Sequence, residues 1–396
     1  MSRTIAFPDR RDTQAENNRI NDKIRRRHRT RFYTILLLLG LVCALVLAYF
    51  IYENTKVYKS LEMTQSVTRQ DVFQSNILPL GENLLTYSKD GANCMDSSGN
   101  LLWNMTFGMQ NPMVSICRET AAFADYGAST IYVHTKDGNT AEIDTSMPIR
   151  KLTVSEKGIV AAVLEDTNLT WIYIYDMNST VIAYFRITME KSGYPVDVDI
   201  SPSGELVCVS YYYLDSGEKR SSVAFYNFGE VGQNNIDNYV SGYNYENFVP
   251  YVEFMDNSTV FAASTGRISV YEGKQKPVSI SETLITDEVL SVFNSESNIG
   301  VVYENVNSEK KYRLEIYNSK GALESKTEFD FDYSSVAFGK DWFIIYGNTD
   351  LYVATISGEK RFEGKYIKPM KLVIPSNVQS KYYVVTEGSF DTMELN

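Results

Sequence analysis

Residues 198–210 read VDISPSGELVCVS: an alternating apolar strand, a tight Ser-Pro-Ser-Gly turn centred on Ser203, and a second apolar strand. Period-two alternation bounded by Pro and Gly marks a β-hairpin with at least one buried face. The same pattern recurs along the chain. NILPLGENLLTY, VSICRETAAFA, LTVSEKGIVAAV, VEFMDNSTVFAA, SVFNSESNIGVVY, SVAFGKDWFIIY and LVIPSNVQSKYYVV centre their turns at Leu80, Glu119, Lys157, Asp256, Glu296, Lys340 and Ser376. With Ser203 included, successive centres lie 36 to 53 residues apart.

A third strand answers at the same period, as in Cys94-Met95-Asp96, Ile174-Tyr175-Asp176, Phe225-Tyr226-Asn227, Val270-Tyr271-Glu272 and Ile316-Tyr317-Asn318. A repeat of about 40–50 residues carrying four short strands is the signature of a β-propeller blade. The spacing predicts an all-β propeller of eight four-stranded blades over residues 70–396, with seven blades as the alternative. The tyrosines that close the third strands read as packing residues. Phe390 to Leu395 is the third strand of the last unit, which then lacks a fourth, and an open sheet edge is an aggregation template. The stretch YKSLEMTQSVT at 58–68, inside a stem of residues 53–69, is therefore expected to close the ring.

Residues 32–52, FYTILLLLGLVCALVLAYFIY, carry no charge and are long enough as a helix to cross a hydrocarbon core of about 30 Å. A membrane helix preceded by a 31-residue tail is predicted. That tail holds ten Lys and Arg against four acids, so of the net charge of −11 the tail contributes +6 and residues 32–396 contribute −17. The juxtamembrane cluster Arg25, Arg26, Arg27, Arg29 and Arg31 predicts a cytoplasmic amino terminus and is the candidate contact for anionic lipid head groups. Residues 53–396 are then expected outside the cytoplasm, in a single-pass protein of the cell membrane. An acidic body excludes nucleic acid as its partner. Cys94, Cys117 and Cys208 are an odd set, too few for a disulfide scaffold, which suits a bacterial envelope.

VDISPSGELVCVS resembles the Ser-Pro-Asp-Gly turn of WD40-like blades, and SGNLLWNMTF at 98–107 resembles the Trp-bearing ending of quinoprotein-type blades. The whole layout is similar to a family of uncharacterised single-pass membrane proteins of Clostridia-type Firmicutes, catalogued as a domain of unknown function. That resemblance implies the architecture and supplies no activity.

Chemistry is sparsely written. Only His28 and His134 exist, and no Gly-x-Ser-x-Gly elbow, phosphate loop, dinucleotide fingerprint or Cys-x-x-Cys spacing occurs. No catalytic residue, cofactor or metal is expected, and His134 reads as a structural or surface residue. Asp197 and Asp199 share a strand face and read as charged positions on an exposed strand start; the alternative, a carbohydrate-active enzyme, places them in the central channel. A ligand sensor is a third possibility. The widest gap between turn centres holds residues 229–248, GEVGQNNIDNYVSGYNYENF, whose Tyr, Asn and Gly content resembles that of binding loops. Tyr211, Tyr212, Tyr213, Tyr239, Tyr243 and Tyr245 are therefore the candidate contact surface of an interaction scaffold for an envelope protein or a wall polymer.

Overall fold

The computed structural model describes residues 10–69, 75–167, 169–188, 192–305 and 308–396. It divides into two units, Met1–Val57 and Tyr58–Asn396. The first contains one helix, Arg10–Thr55, which runs from the basic stretch into the apolar segment without a break. Within it Arg29–Tyr49 has a mean hydropathy of 2.5 and no buried residue, which gives it the length and composition to cross a membrane. Arg25, Arg26, Arg29 and Arg31 are exposed, whereas the side chains of Arg27 and His28 lie outside the described residues.

The second unit is an eight-bladed propeller, each blade a four-stranded antiparallel sheet. We letter the strands A to D from the inside out. Blades one to seven span residues 76–106, 112–144, 149–187, 194–245, 251–284, 289–329 and 333–365, and each runs A, B, C, D in chain order. All eight turn centres read from the sequence fall at or beside the A–B hairpins.

Each inter-blade interface encloses its own apolar cluster, so eight small cores replace one large one. This arrangement explains the strand composition. B strands such as Val160–Asp166 and Thr259–Ser264 are covered on both faces and read as continuous small or apolar runs. D strands such as Val181–Ile187 cover only one neighbour and alternate between buried and exposed positions. The third-strand tyrosines Tyr175, Tyr226, Tyr271 and Tyr317 are buried between blades, as their strand preference indicates.

Blade eight is closed across the chain. Its A, B and C strands are Leu372–Pro375, Lys381–Val385 and Ser389–Leu395, and its D strand is Leu61–Thr68. The register runs from Leu61 opposite Leu395 to Thr68 opposite Ser389. The expected closing strand is thus the observed one. Beneath it the buried carboxylate of Asp391 accepts hydrogen bonds from Ser66 on the closing strand, from Tyr366 at 2.5 Å, and from Lys368 and Ser389 at 2.9 Å.

The expected loop over 229–248 is interrupted by a strand at Tyr239–Tyr245. Gly232–Asn234 and Ile236–Asn238 form two 3-10 turns, and Tyr239–Tyr245 is strand D of blade four.

Candidate functional site

Blade four departs most from its neighbours. Its B and C strands, Leu206–Asp215 and Glu218–Asn227, are ten residues each and meet at Ser216-Gly217, both with positive φ. Buried Asn227 ends the hairpin: its side-chain carbonyl accepts the Gly229 amide at 2.8 Å, and its side-chain amide donates to the Gln275 carbonyl at 2.9 Å. The insertion then crosses back over the end of strand C. At Gly232 an added Cβ would lie 1.6 Å from the Asn227 carbonyl oxygen, so only glycine permits this crossing.

The β-pleat divides the six candidate tyrosines between two faces. Tyr211 packs with the cluster toward blade three, together with Phe185 and Tyr226. Tyr212 turns the other way and meets Phe248 edge-on at 5.8 Å. Tyr243 and Tyr245 face blade five: the Tyr243 hydroxyl donates to the Pro277 carbonyl at 3.1 Å, and the Tyr245 hydroxyl is hydrogen-bonded to that of Tyr271. Tyr211 and Tyr245 are only 1% and 4% exposed, so the reading of these two as contact residues is corrected: they are packing residues that the pleat turns inward.

Tyr239 comes to the blade-three face through a bulge. Tyr226 pairs with Tyr239 but Phe225 pairs with Ser241, leaving Val240 as the extra residue. The Tyr239 ring lies edge-on to Tyr226 at 6.0 Å and over Gly242, where an added Cβ would come within 2.5 Å of the Tyr239 hydroxyl. Asp237 and Asn238 both hold left-handed backbone, with φ of 55° and 59°, immediately before this bulge.

A groove of about 460 Å³ results between strand D of blade three and strands C and D of blade four. Phe185 stacked on Tyr226 at 4.3 Å and the Tyr211–Tyr226 hydroxyl pair at 2.8 Å form its base. Burial pushes both phenols well above their ordinary range, so they stay protonated. Half-buried Tyr213, exposed Tyr239, Ile236, Asp237 and Asn244 line the rest. Sequence reasoning missed Phe185, Tyr226 and Asp237. The first two lie on third and outer strands that read as ordinary blade packing, and blade three leaves no trace in the sequence of blade four.

The central channel holds the carboxylates. Asp197 and Asp199 sit on strand A of blade four, and each reaches across to strand A of blade five: Asp197 accepts the Val252 amide at 2.8 Å, Asp199 the Phe254 amide at 2.7 Å. Asp197 also pairs with Lys151, and Asp199 accepts from the Thr153 hydroxyl at 2.7 Å. The expected exposed strand start is corrected: Asp197 is buried, and both carboxylates satisfy amides on the inner edge of a sheet that has no further strand to bond. At the same end Arg118 bonds Glu156 of blade three at 2.5 Å and Glu296 of blade six at 2.8 Å.

Burial pushes the Asp199 carboxyl up to about 6, with the Asp197 charge adding to the effect. Burial and then the Asp199 charge push Glu253 up as well. A carboxyl whose folded pKa is raised stabilises the fold fully below its unfolded value near 4, and that contribution is lost as pH rises through the folded value. Asp199→Asn, which keeps an acceptor for Phe254, is expected to flatten the decline in melting temperature between about pH 4 and pH 6. An unchanged pH profile would refute the assignment.

His134 is buried and stacked on Trp103 at 4.1 Å, and burial lowers its pKa, so it is a neutral packing residue. All four cysteines are free, and burial raises the thiols of Cys94 and Cys117 to about 12. Among the described residues no three His, Cys, Asp or Glu side chains are grouped to hold a metal.

Residues 54–395 match the model of DUF5711, a family of unknown function. No curated protein sequence matches the chain. Among solved structures, Sqt1 of Saccharomyces cerevisiae is 13% identical with a TM-score of 0.54, covering 87% of this chain and 99% of its own. The computationally designed protein Ika8 is 12% identical with a TM-score of 0.53, covering 86% of this chain and 100% of its own. BamB of Moraxella catarrhalis is 9% identical with a TM-score of 0.48, covering 85% and 100%. For Sqt1 and Ika8, at these identities, the likeness is one of fold.

Proposed function

We propose, from the premise that this chain belongs to the DUF5711 family of unknown function, that it is a membrane-tethered, non-catalytic interaction scaffold. Its propeller stands outside the cytoplasm and holds an envelope protein or a wall polymer. The observation that carries this reading is the groove on blade four, where the one long insertion of the ring presents Ile236 at 88% exposure and Tyr239 at 48% beside a rigid aromatic base. Large rigid rings flanked by adaptable polar residues are the composition of contact surfaces. The engagement of Asp197 and Asp199 in backbone bonds, the neutral packed His134 and the protonated thiols support a binding role. The charge-free segment and the arginines before it support anchoring with the amino terminus inside.

The test is a membrane-impermeant crosslinker applied to intact cells, followed by mass spectrometry, on the full chain and on Ile236→Ala/Tyr239→Ala. Removing all of 229–248 would take strand D with it, so point substitutions are the cleaner choice. Envelope components captured by the native chain and reduced at least fivefold in the variant are expected. Recovery of only the protein itself and lipid would overturn the reading.

A further inference from the structure

We propose that the groove between blades three and four binds a segment of a neutral oligosaccharide. This rests on the scaffold reading and specifies the ligand chemistry of the same surface.

The base of the groove holds an unspent donor. Tyr211 and Tyr226 are at least nine-tenths buried, and the bond between their hydroxyls is the one made by either among the described residues. Two phenols carry two protons and their mutual bond uses one, so one O–H at the base is left without an acceptor. That O–H is available at the base of the groove to an acceptor on a bound ligand.

The walls fit a sugar in kind. Tyr213 and Tyr239 offer ring surface against which the C–H face of a pyranose packs, and the hydroxyls of Ser192 and Ser222, the amide of Asn244 and the carboxylate of Asp237 supply donors and acceptors together. A sugar hydroxyl needs both at once. An extended peptide taken by strand addition would instead use a row of open backbone groups, with pockets for alternate side chains. Here the aliphatic lining is limited to Val223, Ala224 and Ile236.

Charge selects the neutral polymer. Among the described lining residues Arg186 and Asp237 are the formal charges, and they cancel. The surrounding body is strongly acidic, so a phosphate-rich polymer is repelled rather than gathered. A volume of about 460 Å³ lies within the range of sites for small ligands. The left-handed backbone at Asp237 and Asn238, with the bulge at Val240, holds Asp237 and Tyr239 at the groove.

The full chain in detergent micelles is titrated with chitotetraose, cellotetraose, laminaritetraose and maltotetraose as neutral probes, and with poly(glycerol phosphate), binding being read by calorimetry and saturation-transfer NMR. At least one neutral probe is expected to bind. Tyr239→Ala is expected to weaken it about tenfold through the lost ring, and Tyr226→Phe about fivefold through the lost hydroxyl pair. Tyr239 is half-exposed, so its variant is expected to melt with the native chain and serves if Tyr226→Phe unfolds. Binding of none of the four, binding indifferent to both substitutions, or binding of the polyanion alone would overturn the inference. If envelope proteins crosslink through Tyr239 while no neutral glycan binds, this inference fails and the scaffold reading stands.

Discussion

Removing residues 53–69 is expected to lower the melting temperature of the propeller by roughly 10 °C or more. Those residues include strand D of blade eight, whose register with Ser389–Leu395 covers seven residue pairs. The deletion also takes Tyr58, which is buried in the cluster between blades seven and eight and whose amide bonds the Arg361 carbonyl at 2.8 Å. At about 1 kcal/mol net per backbone bond, with apolar burial added, the loss is on the order of 5–10 kcal/mol. A propeller beginning at residue 56 is the control, since it keeps the strand and lacks the apolar segment. Equal melting temperatures for the two would refute the closure role.

Asp391→Ala is expected to cost about 3–5 kcal/mol, because it strips a buried carboxylate from Ser66, Tyr366, Lys368 and Ser389 and leaves a lysine without its counter-charge. Burial pushes this carboxyl up, but the four hydrogen bonds outweigh that and hold it below the ordinary carboxylate range. The stability it confers is therefore present above its unfolded pKa near 4 and is lost as pH falls through the lower folded value. Urea unfolding at pH 7 and pH 3 checks both points. The native chain is expected to lose stability between them, and the variant to lose less. A variant as stable as the native chain at pH 7 would remove Asp391 from the closure.

These opposite shifts make the two aspartates separable in one titration. Asp391 weakens the fold as acid is added below pH 4, whereas Asp199 weakens it as base is added toward pH 6. The difference comes from the number of donors. Asp391 has four side-chain donors around it, while Asp199 has the Phe254 and Ile200 amides and the Thr153 hydroxyl to offset its burial and stands beside Asp197 and Glu253.

The ring itself was legible because a blade is a local object. Turn residues such as Ser201 to Gly204 and the covered B strands write their period into the chain, and counting gave both the blade number and the vacancy that residues 58–68 fill. The groove was legible only as composition. Tyr239 and Tyr243 lie in one strand and look alike in sequence, yet a single bulged residue, Val240, sends them to opposite faces. Phe185 reaches the site from another blade, a relation set by packing rather than by any spacing. Asp197 and Asp199 were misplaced for the same reason, since their amide partners lie 55 residues further along.

The pairing of Leu61–Thr68 with Ser389–Leu395 has a consequence in time. On a ribosome the closing strand is the first of the thirty-two to be made and its partner the last. At about 5–20 residues per second the early strand waits on the order of tens of seconds with its edge bare. Seven blades can stack in order of synthesis, each on the one before, but the eighth must be finished by a segment already outside the growing end. The strand that waits is largely polar, LEMTQSVT, with Glu62 and a bulge at Met63 to Gln65. Such features discourage a bare edge from pairing with a stranger. Closure of the ring is thus the last step, since Ser389–Leu395, the partner of Leu61–Thr68, is made after every other strand.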